Sequence, residues 1–78
     1  MREKKEKIIL TFHTTSESMR VEKIFKEYGI EGRLIPVPRK ISAGCGIAWC
    51  SDIELKEKII EVIEEKKIEM EGIHEFIM

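Results

Sequence analysis

Apolar residues along the chain change rhythm five times, and each change marks the boundary of a predicted element. Ile8 to Phe12, Ile-Ile-Leu-Thr-Phe, is a short β-branched run of strand length. Thr14-Thr15-Ser16-Glu17 then offers a capping box, in which the Thr14 hydroxyl accepts from the backbone while Glu17 reaches back. Val21, Ile24, Phe25 and Tyr28 follow at helical spacing, and Gly29 supplies a left-handed stop, so the first helix ends near Tyr28. Arg33 to Val37 predicts a second strand, which Pro36 places at a sheet edge or at the strand's end, because proline donates no ladder bond. Pro38 to Gly44 reads as a loop and Gly46 to Cys50 as a short third strand. Ser51-Asp52-Ile53-Glu54 has the pattern of a second capping box, opening a helix whose apolar face is Leu55, Ile59, Val62 and Ile63. A last strand falls between Ile68 and Ile77, interrupted or begun at Gly72.

The resulting order is strand, helix, strand, strand, helix, strand, the split βαβ arrangement. It predicts an α+β, ferredoxin-like βαββαβ sandwich in which two helices cover one face of a four-stranded antiparallel sheet. Strand one nevertheless carries apolar groups on both sides, with Ile8, Leu10 and Phe12 on one and Ile9 on the other. The face without helices is therefore a candidate surface for a homodimer.

Seventy-eight residues suffice for one domain, residues 1–78, with a thin core. Residues 1–6, rich in charge of both signs, read as a solvated, loosely ordered start. Fourteen basic and fifteen acidic residues nearly cancel and are interspersed, which argues against nucleic acid as a partner. No apolar run approaches the roughly 20 residues that cross a bilayer, and no leader of signal-peptide type precedes the first strand. A soluble, cytoplasmic protein is expected, with its two cysteines, Cys45 and Cys50, reduced at rest. The absence of Asn and Gln beside many Ile, Glu and Lys matches the composition of hyperthermophile proteins, although nucleotide bias produces the same pattern.

Candidate chemistry concentrates in Ser42-Ala43-Gly44-Cys45-Gly46. In the expected topology the end of strand one, the start of helix one and this loop share one edge of the sheet. A cysteine reacts as its thiolate, which a helix N-terminus or a neighbouring cation favours. The amides of Thr15 to Glu17 offer the first influence, and Arg39, Lys40 and His13 the second. Cys45 is thus the candidate nucleophile. Arg39, Ser42, Gly44, Gly46, His13, Thr14 and Thr15 are candidates to hold an anionic substrate, with the two glycines leaving the backbone free and accessible. A Gly-Cys-Gly triplet also serves a chain that simply turns around a small apolar side chain.

The run Leu34-Ile35-Pro36-Val37-Pro38-Arg39-Lys40-Ile41-Ser42-Ala43-Gly44-Cys45-Gly46-Ile47-Ala48 resembles the signature of the Putative Se/S carrier protein-like family, a small bacterial family. Phe12-His13-Thr14-Thr15 resembles its strand-end and helix-start motif, and Gly29-Ile30 its helix exit, so the similarity covers nearly all of the chain after Lys7. The resemblance implies a carrier whose cysteine holds sulfur or selenium as a persulfide or selenosulfide, with donor and acceptor proteins as partners and no cofactor. Family sequences tend to carry a basic residue where this chain has Cys50.

Other patterns carry less. Cys45 and Cys50 lack the Cys-x-x-Cys redox spacing, and on one strand they point to opposite faces, so a disulfide between them requires Cys45 to lie off the strand. Two histidines, His13 and His74, sit at opposite ends of the chain and do not form a zinc-ligand pair with the cysteines. His74 reads as a surface residue of the last strand, His13 as a loop residue and Trp49 as a core or interface aromatic. The glycine loop lacks the phosphate-loop pattern, and no carboxylate pair stands out. Two further readings stand beside the carrier: a non-catalytic module that binds a protein or small ligand, and a thiol redox sensor.

Overall fold

In a computed structural model, which describes residues 5–41 and 46–77, the chain forms six principal elements. They are β1 (Glu6–Thr11), α1 (Thr15–Glu27), β2 (Arg33–Pro36), β3 (Ile47–Asp52), α2 (Lys56–Lys66) and β4 (Gly72–Ile77). A single 3-10 turn, Ile53–Leu55, joins β3 to α2. The sheet order is β2-β3-β1-β4 and every neighbouring pair is antiparallel, as the ferredoxin-like arrangement requires.

β1 is central because its residues can be buried from both sides. Ile8, Ile9, Leu10 and Thr11 have no exposed surface. Ile8, Leu10 and Phe12 join Trp49 of β3, Val21 and Phe25 of α1, and Ile59 and Val62 of α2 in the main core. There Phe25 meets Trp49 edge-on, ring centres 5.4 Å apart at 81°, a geometry worth about 0.5–1.5 kcal/mol beyond the area it buries. β1 begins at Glu6, opposite Ile77 of β4, so one residue assigned to the loose start belongs to the sheet.

The face opposite the helices is less bare than expected. Ile9, Ala48 and Ile41 form a second apolar cluster there, flanked by Ile35, Val37, Cys50 and Phe76. The cause is local: Pro38 to Ile41 closes a turn, with the Ile41 N–H donating to the Pro38 carbonyl at 2.9 Å. That turn lays Ile41, 9% exposed, over Ile9 and Ala48. The apolar side of β1 is thus covered within the chain itself.

The second capping box does not form. Ser51 and Asp52 remain in β3, and neither the 3-10 turn nor α2 has a side-chain cap. Ser51 is instead buried, its hydroxyl accepting from Trp49 Nε1 at 2.7 Å and donating to the Glu31 carbonyl at 2.8 Å. A buried indole N–H must find an acceptor. That demand, together with the pairing of Ser51 with Ile8, holds Ser51 in the strand. Leu55 consequently lies on the 3-10 turn and α2 starts at Lys56.

Candidate functional site

Strand register defines the sheet edge at which the candidate residues converge. Thr11 ends β1 opposite Ala48 near the start of β3 and opposite Gly72 at the start of β4. The Val37 N–H donates to the Gly46 carbonyl at 3.0 Å, which extends the β2–β3 ladder one step past its last pair. Phe12, His13, Gly46 and Val37 therefore lie at one end of the sheet, where α1 also begins.

The cap of α1 forms as the sequence implies. Thr14 is the N-cap in extended conformation, and its Oγ1 accepts from the Glu17 N–H at 3.2 Å. Glu17 reaches one residue further back than the usual box and accepts from the His13 N–H at 2.7 Å. The same carboxylate oxygen lies 3.3 Å from His13 Nδ1. Ser18 N–H donates to the Thr14 carbonyl at 3.4 Å. Thr15 and Ser16 remain the first-turn amides without a capping partner among the described residues. These two amides and the dipole favour an anion, while Glu17 partly offsets them.

Gly46 has φ +77°, and a Cβ placed there meets nothing within 4 Å. Its glycine is required by backbone conformation rather than by space. Arg39 and Lys40 are the exposed central residues of the Pro38–Ile41 turn. No hydrogen bond or ion pair joins either to His13, Thr14 or Thr15 among the described residues. The cap residues are thus gathered together, whereas the turn bearing Arg39 is anchored by Ile41 to the opposite sheet face. Cys45, Ser42 and Gly44 lie outside the described residues.

Two features of the open face were not foreseen. His74 is half-buried rather than a surface residue, with Nε2 3.5 Å from Thr11 Oγ1, itself fully buried and donating to the Gly72 carbonyl at 3.3 Å. Cys50 is a half-buried free thiol that pairs with Ile9 and Arg33 in register and lines an open cavity of about 420 Å³ with Lys7, Arg33 and Asp52. Burial pushes its pKa up, Lys7 and Arg33 counter part of that rise, and Asp52 adds to it. Only cross-strand pairing places Cys50 beside Arg33 and Lys7 beside Asp52, and a single sequence carries no sign of that pairing. Among the described residues no three His, Cys, Asp or Glu side chains come together as a metal ion requires.

A family model described as Putative Se/S carrier protein-like matches residues 7–75. No curated protein and no solved structure matches the chain. No helix among the described residues is long and apolar enough to cross a membrane.

Proposed function

The chain belongs to the Putative Se/S carrier protein-like family, and on that premise we propose that it carries sulfur or selenium between proteins of a bacterial cytoplasm, with Cys45 as the bearing residue. The observation that carries this reading is the extent of the family match, residues 7–75, which includes the whole Ser42–Gly46 segment. Two structural features support it. The residue after Cys45 takes a left-handed backbone that suits glycine, and it lies at the end of the sheet where α1 begins, with the Thr15 and Ser16 amides uncapped among the described residues.

The chemistry is a nucleophilic exchange at sulfur. Cys45 thiolate attacks the outer sulfur of a donor cysteine persulfide. A bond forms between Cys45 Sγ and that sulfur, the donor's sulfur–sulfur bond breaks, and the donor cysteine leaves as thiolate. The outer sulfur keeps its proton or charge, so donor and carrier exchange one sulfur atom without an external oxidant. Selenium is handled in the same way when the donor holds it as a selenosulfide. In this proposal the backbone of Gly44 and Gly46, the Ser42 hydroxyl and the first-turn groups of Thr14 and Thr15 stabilise the terminal anion. Arg39 and Lys40, exposed on their turn, dock the donor or acceptor.

Mass spectrometry after incubation with a persulfide-loaded cysteine desulfurase, or with a selenosulfide donor, tests the proposal. The expected result is a mass gain of one chalcogen atom on Cys45, lost in Cys45→Ser and retained in Cys50→Ser. An adduct confined to Cys50, or no adduct with either donor, overturns it. Alkylation across pH separates a carrier from a simple binding module, because the module's thiol titrates near about 8.5 and the carrier's below it.

A further inference from the structure

The two free edges of the sheet are built differently. β2, at one edge, is four residues long, carries Arg33, and ends on Pro36, which has no N–H to offer a further strand. Charge, proline and shortness are the usual protections of an exposed edge. β4, at the other edge, runs six residues, Gly-Ile-His-Glu-Phe-Ile, with no proline, lysine or arginine. Its one charged side chain, Glu75, is already paired with Lys56 of α2. Ile73 and Ile77 are 41% and 63% exposed, two of the three large apolar side chains so exposed among the described residues. Both lie on the helix-bearing side, at the rim that α1 and α2 leave open.

We propose that β4 pairs antiparallel with β4 of a second copy of this chain, joining two sheets into one of eight strands about a two-fold axis through Glu75. The register follows from symmetry. A two-fold axis perpendicular to a sheet keeps each side chain on its own face, so only residues of like parity oppose one another. Centring on Glu75 sets Ile73 of each copy opposite Ile77 of the other and His74 opposite Phe76. Centring on His74 sets Ile73 against Glu75, and centring on Phe76 sets Ile77 against Glu75. Only the first register covers the exposed isoleucines with each other. Its cost is two Glu75 carboxylates facing across the axis. Each brings its own Lys56 ammonium, so the charges alternate in sign around the centre.

The pairing leaves the opposite face untouched. On that face Ile41 already packs against Ile9 and Ala48, with Val37 at the flank of the cluster. The proposal rests on the β4 edge alone and is independent of any role for Cys45.

Sedimentation equilibrium from micromolar to about 1 mM chain gives the first reading, with twice the 9.1 kDa chain mass expected. A double substitution, Ile73→Lys with Ile77→Lys, places four ammonium groups on the joint and is expected to weaken association by about 100-fold. Both positions are exposed, and circular dichroism is the check that the variant remains folded. As an independent check, Ile73→Cys with Ile77→Cys is made in a chain with Cys45→Ser and Cys50→Ser. Within one strand these positions are about 13 Å apart, beyond disulfide reach, so oxidation yields covalent dimers only if the register is right. A monomer at every concentration overturns the proposal. So does a dimer that withstands the lysine pair, or a cysteine pair that stays monomeric on oxidation.

Discussion

Gly32 shows how much a single missing side chain can hold in place. A Cβ built there meets Ser51 Oγ at 2.4 Å, the Cys50 carbonyl at 2.6 Å and Trp49 Cζ2 at 2.6 Å. The loop after α1 therefore lies directly on β3, and this closeness lets the Glu31 carbonyl receive the Ser51 hydroxyl, which in turn satisfies the Trp49 indole. Gly32→Ala is expected to cost about 1–3 kcal/mol, because the added methyl meets β3 backbone and packed side-chain atoms that must shift to admit it. The check is a urea midpoint shift, accompanied by a change in Trp49 fluorescence as its hydrogen bond is disturbed. An unchanged midpoint and spectrum contradict the close approach. Gly29, by contrast, meets nothing within 4 Å and is set only by its φ of +71°. The role of Gly29 follows from the helical pattern before it. That of Gly32 depends on a strand eighteen residues later in the sequence, at Cys50, and the pattern is silent on it.

At the scale of elements, the two helices end in contrasting ways. α1 closes through Tyr28 onto Gly29, and the Ile30 N–H donates back to the Phe25 carbonyl at 2.9 Å. α2 makes the matching bond, Ile68 N–H to the Ile63 carbonyl at 3.0 Å, but its left-handed residue is Lys67 at φ +50°. A side chain in that conformation costs about 1 kcal/mol relative to glycine. Lys67→Gly is expected to stabilise the fold by up to about 1 kcal/mol, read as a higher thermal midpoint, and a lower midpoint refutes the capping assignment. The helices and strands were legible because their apolar spacings are local properties of the chain. The cap at Thr14 was legible for the same reason. The apparent box at Ser51 misled because the buried Trp49 indole, two residues away, needs that hydroxyl more than the exposed start of α2 does. Likewise the stretch from Pro38 reads simply as a loop, and only the packing of Ile41 on Ile9 and Ala48 shows that its first turn covers part of a sheet face. The closeness of Glu17 to Thr14 was legible as a capping box, while the position of the Pro38–Ile41 turn, set by Ile41 on Ile9 and Ala48, depends on long-range packing.

Across the whole molecule, ion pairs and the Cys50 thiol shape the dependence of stability on pH. Lys7 pairs with Asp52 across β1 and β3, and Lys56 pairs with Glu75 between α2 and β4. The partnering ammonium groups hold both carboxyls below their ordinary values. A carboxyl lowered on folding contributes fully above its unfolded pKa, about 4, and loses that contribution as pH falls through its lower folded value. These pairs therefore steepen the acid limb and leave the neutral range flat. The pKa of Lys7 is raised, chiefly by its bond to Asp52, so its contribution is full below the unfolded lysine value and fades only as pH rises through the raised one. Cys50 acts earlier on that side. Burial raises its pKa, so the unfolded chain releases the thiol proton first, beginning near about 8.5. Stability must then fall as pH rises from there through the raised folded value. Cys50→Ala removes that release while keeping a small side chain between Ile9 and Arg33. Urea midpoints measured from pH 7 to 10 should decline less steeply in Cys50→Ala than in the unaltered chain, whatever the offset at neutral pH. Parallel declines would show that the thiol ionises equally well in both states, which is incompatible with its burial on the open face of the sheet.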